Sequence, residues 1–392
     1  MVPALAWNCM IYNVLISSSG QFGPVMSIRI ITPSTSSPVS SPDGGSEFRR
    51  RLAAAGLDKY VFSRIASNGD IEYGLHENLV AEWFPDYDTT GLCDRLNLDT
   101  QHNAEDLERE ILLAMLLSPV PFIFPGHAEL ASALRIRSNI VLAARKTSLD
   151  FHTSEAERPN DYWTYHEDSG FTILPGRSLI EALKKATQPE VSGQKYSFSC
   201  YRATEYVILL GIAEELQASN PPLYEKLRKQ WEASAIMSGS FHEAFLKEYG
   251  TMQDPLPQKF YVPGDRVWFR NPDKASAEIT GYEGSWVIYL GCGLFTNFWD
   301  EAHPYTLDAK CIEIYHWRHA TRPDKNGEMC IDESIVARQV SETLQHPEEI
   351  SRILSEMMRY RDPMDVHATG GCIDSTREYP RYVCPGTADL AF

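Results

Sequence analysis

The sequence is poor in basic residues and has no long apolar run. Lys and Arg number 36 against 53 Asp and Glu in 392 residues, which gives a formal net charge of −17. A surface this acidic repels phosphate backbones, so we expect no nucleic-acid partner. The apolar stretch from Ala4 to Ile16 is short, interrupted and not preceded by basic residues. It therefore predicts neither a signal peptide nor a membrane anchor.

Cysteine is also sparse and evenly spread. The eight cysteines form no Cys-x-x-Cys pair, so we expect no structural metal site. Eight cysteines are also too few for a disulfide-stabilised scaffold of 392 residues. This pattern favours reduced thiols, with a late bridge between Cys372 and Cys384 as an alternative. The compartment stays undecided, with the cytoplasm favoured.

What is present is an ordinary globular composition, 43% hydrophobic and 11% aromatic, which supports a sizeable core. A Ser/Pro-rich leader within residues 1–46 is predicted to be disordered, and Met26 is an alternative start. A helical N-terminal extension is expected over 47–120 and a core over 121–320. The remainder, 321–392, is expected to be a helical and irregular C-terminal extension.

Hydrophobic periodicity predicts the individual elements. Helices are expected over 105–117, 128–146, 177–186, 200–216, 223–235, 241–249 and 334–360, and the spacing of Leu52, Leu57, Val61 and Ile65 predicts one more. Alternation predicts strands over 162–165, 171–174, 266–270, 285–290 and 311–316. Residues from 362 onward are expected to be irregular.

Cys200 is the candidate nucleophile. It follows a strand-like aromatic stretch and begins an apolar helix, where the helix dipole and free N–H groups favour a thiolate. Arg202 adds positive charge nearby. Strands then follow that can present a base to the sulfur, in the order that papain-like enzymes need. The alternative is an inert buried thiol, because most free cysteines behave as small hydrophobic residues.

Five sequence blocks occur in one order along the predicted core. They are Tyr196–Cys200 (YSFSC), Arg135–Arg145 (RIRSNIVLAAR), the hairpin of Tyr162-Trp163 and Gly170–Leu174, Gly264–Pro272 (GDRVWFRNP) and Gly284–Gly291 (GSWVIYLG). Together they resemble the bacterial spore-coat transglutaminases, the compact protein-glutamine gamma-glutamyltransferases.

The resemblance implies an α+β, papain-like (NlpC/P60-like) fold, in which the nucleophile helix packs on an antiparallel sheet. It implies that the Cys200 thiolate attacks a glutamine carboxamide, releases ammonia and passes the acyl group to a lysine or a small amine. With water as the acceptor the outcome is deamidation. The expected partners are proteins or peptides that carry Gln and Lys. No metal or organic cofactor is implied, and the oligomeric state stays open.

Two positions depart from the family pattern. Ser199 and Ser285 stand where the family has catalytic glutamates, and a serine can bind substrate by hydrogen bonds but cannot serve as a base near neutral pH. The family's histidine position falls on Phe298.

His303 is the substitute base that the sequence offers. We expect a Cys200–His303 pair, with Glu283, Asn297 or Asp300 as the orienting group. Trp286 and Trp299 are candidates for the walls of the acyl-acceptor groove.

The lost glutamates leave two rival hypotheses. The protein is either a cysteine enzyme that forms or cleaves amides of another substrate, or a non-catalytic interaction protein on the same fold. Natural substitution of two catalytic acids is not neutral, since each member of such a unit contributes orders of magnitude in rate.

Overall fold

The structure is a computed structural model that describes residues 26–32, 44–151, 157–168, 170–235, 238–362 and 370–392. The predicted disordered leader falls largely outside these residues. Within it, however, Ile28–Ile30 form a buried strand, β1, contrary to that prediction. The alternation Ile-Arg-Ile buries both isoleucines once distant strands pair with them, which composition cannot reveal.

The N-terminal region combines helices with a small sheet. After β1 come α1 (Gly44–Ala54), β2 (Val61–Ile65), β3 (Ile71–Leu75), α2 (Glu77–Trp83), a 3-10 turn (Pro85–Tyr87), α3 (Leu92–Leu96), α4 (Ala104–Leu116) and β4 (Phe122–Phe124). The four strands form a sheet in the order β2-β3-β1-β4. The region 47–120, predicted as a helical extension, therefore contains the strands β2 and β3 as well as helices. Val61 and Ile65 lie in a strand, because Val-Phe-Ser-Arg-Ile pairs along its whole length with β3.

The helices that carry the nucleophile follow. They are α5 (His127–Arg145), α6 (Leu179–Thr187), α7 (Pro189–Ser192), α8 (Cys200–Ser219), α9 (Pro221–Ala233) and α10 (Ser238–Phe245), with the hairpin β5 (Trp163–His166) and β6 (Gly170–Ile173) after α5. Gly211 lets α8 approach α5 closely, because a Cβ there would lie 2.6 Å from Ile140 Cγ1. The hairpin and the α4, α5, α6, α8 and α9 predictions are confirmed to within a few residues.

The second half builds the main sheet and the helices on its far side. Its strands are β7 (Leu246–Tyr249), β8 (Arg266–Arg270), β9 (Gly284–Gly291), β10 (Leu294–Phe295), β11 (Tyr305–Thr306), β12 (Thr321–Pro323), β13 (Met329–Ile331) and β14 (Arg377–Pro380). Its helices are α11 (Lys274–Ala277), α12 (Leu307–Trp317), α13 (Glu333–Thr343) and α14 (Pro347–Met357).

The main sheet is antiparallel in the order β11-β10-β9-β8-β14-β7 and has a hydrophobic core on each face. Ile288 and Leu290 of β9 belong to the core that contains α8. Val287 and Tyr289 belong to the core that contains α12 and α14. The predicted α+β architecture, with the Cys200 helix packed on an antiparallel sheet, is confirmed.

Three element predictions in this half are wrong. Residues 311–316 lie in helix α12, which Thr306 caps by accepting from the Ala309 N–H at 3.2 Å. The end of the predicted 241–249 helix is strand β7. The C-terminal region expected to be irregular contains β14, which lies between β8 and β7. Whether each of these short segments becomes a helix or a strand depends on the elements that pack against it rather than on its own hydrophobic periodicity.

The cysteines also differ from expectation. Cys93 and Cys292 are joined by a disulfide across 199 residues of sequence, so those two thiols are not reduced. The alternative of a bridge between Cys372 and Cys384 is wrong, because both cysteines are free. The Cys372 sulfur lies 3.3 Å from the sulfur of Cys311, which is also free. Among the described residues, no helix has the length and apolar character needed to span a bilayer.

Candidate active site

Cys200 is the first residue of α8. Ser199 adopts an extended conformation, and its Oγ accepts a hydrogen bond from the Arg202 N–H at 3.3 Å, which caps the helix. The approach to the cap is fixed, since the Asp150 N–H donates to the Tyr196 carbonyl at 3.1 Å and the Phe198 N–H to the Asp150 carbonyl at 3.0 Å. Ser199 at the position of a family glutamate thus has a defined structural role.

The Cys200 sulfur faces the edge of β9. Burial raises the pKa of the thiol, while a hydrogen bond from the Trp286 N–H, the positive charges of Lys310 and Arg266 and the Tyr201 N–H lower it in part. The residue itself stays half-exposed. The sulfur thus lies against β9, and the protonated thiol is favoured in the resting protein.

Aromatic rings and a buried guanidinium form one wall beside the thiol. Trp286 and Trp268 stack across β8 and β9 with centroids 5.7 Å apart, and Tyr201 meets the Trp286 ring edge-on at 5.2 Å. The Arg266 guanidinium lies 4.1 Å from the Trp286 centroid and 4.4 Å from that of Tyr201. Arg266 Nη1 is 3.2 Å from Glu378 Oε2, so strand β14 supplies the counter-ion.

Arg202, expected to add positive charge to the thiol, is paired instead. Its Nη1 donates to Glu205 Oε2 at 2.6 Å within the first turn of α8. The charge that reaches the sulfur comes from β8 and α12 rather than from the helix that carries it.

Lys310 belongs to a buried polar cluster that sequence reasoning missed. Its Nζ donates to Glu313 Oε2 at 2.7 Å and lies 3.8 Å from the Tyr305 centroid. Close by, the Tyr282 hydroxyl donates to Glu333 Oε1 at 2.5 Å, and burial raises the pKa of Glu333. The i,i+3 spacing of Lys310 and Glu313 could have indicated an ion pair, because residues three apart are neighbours on a helix. The sequence pattern predicted a strand over 311–316, where this spacing brings no side chains together.

His303 and Asp300 are brought together on the loop after β10. His303 Nδ1 lies 2.8 Å from Asp300 Oδ2, and the Asn297 amide donates to the His303 carbonyl at 3.1 Å. The imidazole is exposed, with 81% of its side-chain surface accessible. Of the three candidate orienting groups, Asp300 is the one that contacts the ring.

The loop that carries His303 is tied to the segment that leads into Cys200. The Leu149 N–H donates to the Phe298 carbonyl at 2.7 Å, and Ser148 Oγ donates to Glu301. Trp299 packs on Phe151 with centroids 5.0 Å apart. Residues 148–151 therefore lie between this loop and the strand-like residues 196–198, which they also bind.

The other predicted residues lie around the start of β9. Glu283 is exposed, and its Oε2 accepts from the Gly281 N–H at 3.1 Å. Ser285 is 8% exposed and pairs with Phe269, so alternation places its side chain on the face opposite that of Trp286. The position of the second family glutamate therefore faces the core that contains α12.

A thiol at the start of a helix that packs on an antiparallel sheet is the arrangement of papain-like folds. The family model for protein-glutamine gamma-glutamyltransferase matches residues 91–371, well over half of the chain. The chain therefore belongs to the protein-glutamine gamma-glutamyltransferase family. The match extends beyond the predicted core of 121–320 into both extensions, which shows that neither is wholly foreign to the family.

The curated proteins contain no match to the chain. Among solved structures, a transglutaminase from Geobacillus stearothermophilus, without its C-terminal extension, aligns with 18% identity and a TM-score of 0.37. The alignment covers 55% of this chain and 98% of that chain. This similarity is too low to transfer the role of any residue.

Proposed function

We propose that this protein is a cysteine-dependent acyltransferase of the transglutaminase type, with Cys200 as its nucleophile. The observation that carries the proposal is the position of the thiol. It begins a 20-residue helix, receives the Trp286 N–H and lies within the field of two buried cations. Family membership supplies the reaction class.

In the proposed reaction the Cys200 thiolate attacks the carboxamide carbon of a glutamine side chain. The C–N bond breaks, ammonia leaves with a proton from the base, and a thioester remains on the enzyme. A lysine or small amine then attacks the thioester and gives a proton back to the base, the C–S bond breaks, and the thiolate is restored. If water attacks instead, the glutamine becomes glutamate. Proteins or peptides with Gln and Lys side chains are thus the proposed substrates.

We assign the base role to His303, oriented by Asp300. This assignment is supported by the 2.8 Å contact between the two side chains and by residues 148–151, which connect their loop to the Cys200 approach. Glu283 is the second candidate for the acid–base role. Trp286, Trp299 and Asn297 are proposed to line the substrate groove. Ser199 caps α8 and Ser285 faces the core that contains α12, so neither hydroxyl is assigned to the groove.

The first test is selective labelling of Cys200. If a base takes the Cys200 proton as proposed, iodoacetamide at neutral pH is expected to alkylate Cys200 faster than Cys330, the other half-exposed free cysteine of the part of the chain that the structure describes. Incorporation of a fluorescent primary amine into a glutamine-rich protein is expected to disappear in Cys200→Ala and to persist in Cys330→Ala. Equal labelling of both thiols, with no amine incorporation by the parent protein, would contradict the proposal.

The His303 assignment has a matched control in the same chain. His102 is also exposed (79%) and lies 3.0 Å from Asp99 in the same i,i+3 relation. His303→Gln is expected to lower the rate of amine incorporation by about two orders of magnitude, typical of a lost general base, whereas His102→Gln leaves it unchanged. If both variants keep the parental rate, Glu283→Gln is the next to be examined.

A non-catalytic interaction protein is the second candidate function. It is favoured by Ser199 and Ser285 in place of the family acids and by the raised pKa of Cys200. This reading expects slow alkylation of Cys200, no amine incorporation, and partner binding that Cys200→Ala does not weaken. The same two assays therefore separate the two functions.

A further inference from the structure

The disulfide of Cys93 and Cys292 joins two distant parts of the chain. Cys93 lies in α3, and Cys292 lies in the turn between β9 and β10. Cys292 itself has a φ of +51°, and its neighbours Gly291 and Gly293 have φ of +88° and +72°. The bond thus fixes a tight turn of the main sheet to the N-terminal region.

A buried carboxylate lies directly against both sulfurs. Glu110 of α4 accepts from the Cys292 N–H at 2.8 Å through Oε1, while its Oε2 lies 3.5 Å from Cys93 Sγ and 4.0 Å from Cys292 Sγ. A side chain at Gly291 would clash with it, because a Cβ there would lie 2.3 Å from Glu110 Oε2. The turn is therefore shaped to receive this acid.

Among the described residues no cation forms a close ion pair with Glu110, and the polar groups on the neighbouring elements are bound elsewhere or at longer range. Arg145 of α5 donates to the Thr100 and Leu290 carbonyls at 2.5 and 3.0 Å. The Tyr289 hydroxyl of β9 lies 3.4 Å from Glu110 Oε1. Asp99 and His102 lie on the segment before α4 and contact each other. Burial raises the pKa of Glu110 to about 7, opposed by the Cys292 N–H and Arg145. Near neutral pH this group can both give and take a proton.

The two sulfurs differ in access. A cavity of about 280 Å³ is lined by Cys292, with Thr100, His102, Arg145, Asn297 and Glu301 among its other walls. Cys93 is 7% exposed and is not among the residues that line this cavity. A small molecule in the cavity therefore meets the Cys292 sulfur first.

We propose that Cys93 and Cys292 form a reversible redox site, addressed through this cavity by a low-molecular-weight thiol, with Glu110 as its proton donor and acceptor. The incoming thiolate attacks Cys292 Sγ, the Cys93–Cys292 bond breaks, and Cys93 leaves as a thiolate that takes the Glu110 proton. A second small thiol then resolves the mixed disulfide. The products are two protein thiols and one oxidised small-molecule disulfide, and the reverse sequence restores the bond.

Reduction would release the turn after β9 from α3. The inference does not depend on the proposed acyl transfer, because neither sulfur nor Glu110 has a role there. The experiment is therefore run in a Cys200→Ala background, which also removes the competing thiol.

The test equilibrates the full chain with mixtures of reduced and oxidised glutathione, blocks free thiols and maps them by mass. We expect Cys93 and Cys292 to change together and reversibly, and glutathione to be trapped on Cys292 when Cys93 is changed to Ser. Cys330→Ser is the control and should leave this pattern unchanged. The proposal is overturned if the pair stays in one state at every ratio, or if the trapped glutathione sits on another cysteine.

Cys93, Glu110 and Cys292 place three donor atoms within 4.8 Å of one another, a set that could also hold zinc once the sulfurs are reduced. Reduced protein is therefore incubated with zinc and gel-filtered. Stoichiometric zinc that is lost in the Cys93→Ser variant, and that blocks reoxidation, would overturn the redox proposal in favour of a metal site.

The proposed role of Glu110 in proton transfer is tested by the pH dependence of the rate at which glutathione reduces the disulfide. The rate of glutathione reduction in the parent is expected to change with pH around 7, and Glu110→Gln should lose that inflection and react at least fivefold more slowly. Gln keeps the oxygen that accepts from the Cys292 N–H. Glu129→Gln, at another buried glutamate, should retain the parental profile. If Glu110→Gln does not fold, a parental profile without an inflection near 7 contradicts the role.

Discussion

At the scale of the residue, the reactivity of Cys200 depends on a balance between burial and charge. Burial raises the pKa of the thiol, and the positive charges of Lys310 in α12 and Arg266 in β8 lower it in part. Arg266 belongs to one of the sequence blocks that resemble the family, Gly264–Pro272, whereas Lys310 lies outside all five. Their positive charges favour the thiolate, as an adjacent histidine does in cysteine enzymes.

Removal of the Lys310 charge should therefore slow alkylation of Cys200. The change is best made as Lys310→Met with Glu313→Gln, so that no unpaired acid stays buried. The thiol pKa should rise, because a positive charge no longer favours the thiolate, and labelling at neutral pH should fall by about threefold to tenfold. The measurement is the alkylation rate against pH.

The control for this pair is Lys184→Met with Glu214→Gln, a half-buried ion pair between α6 and α8 with a 2.9 Å contact. It should leave the labelling rate of Cys200 unchanged. Equal slowing in both double variants would show that the effect comes from general loosening of α8 rather than from charge.

At the scale of the element, α8 begins where Ser199 caps it. The hydroxyl satisfies the Arg202 N–H, one of the donors that has no partner inside the helix. The resemblance puts a catalytic glutamate at this position in the family, and such a carboxylate could not accept the capping hydrogen bond while it acts as a base. In this chain the observed contact of the Ser199 side chain is the capping hydrogen bond.

Ser199→Ala should destabilise the protein by about 1 kcal/mol, the usual effect of losing an N-cap hydroxyl, and should alter the alkylation rate of Cys200. Ser178→Ala is the matched control, since Ser178 caps α6 through the Glu181 N–H at 3.3 Å. It should lower stability in urea by a similar amount without affecting the thiol. If Ser199→Ala leaves both stability and labelling unchanged, the cap does not position Cys200.

At the scale of the whole molecule, the C-terminal region is part of the main fold. Strand β14 lies between β8 and β7, and Ile373 is fully buried between the sheet and the helices, with bridges to Phe269 and Tyr360. Arg266 beside the thiol also takes its counter-ion, Glu378, from β14. The last 23 residues of the described chain, 370–392, therefore support the site from the far end of the sequence.

Ile373→Ala should accordingly cost about 2–5 kcal/mol in the free energy of unfolding, as for other fully buried aliphatic side chains. Ile65, which is 77% exposed on β2, is the matched control, and Ile65→Ala should change stability by less than about 0.5 kcal/mol. Urea unfolding followed by circular dichroism provides both numbers. A negligible effect at Ile373 would mean that the C-terminal region is an appendage.

Local sequence patterns were enough to predict the long helices, the β5–β6 hairpin, strands β8 and β9, and Cys200 at the start of α8. Their apolar period, caps and turn residues are local properties, and the family resemblance rests on the same segments. The sequence also offered His303 as a substitute base, with Glu283, Asn297 and Asp300 left open as its orienting group.

The other elements and contacts depend on packing between distant parts of the chain. Strands β1 and β14 and helix α12 are short segments whose state depends on distant partners, so their own periodicity is ambiguous. The same holds for the Cys93–Cys292 bond, which spans 199 residues, and for Lys310 and Arg266, which come near the thiol from different elements. Contacts between residues far apart in sequence are set by packing of the whole chain, and no local pattern records them.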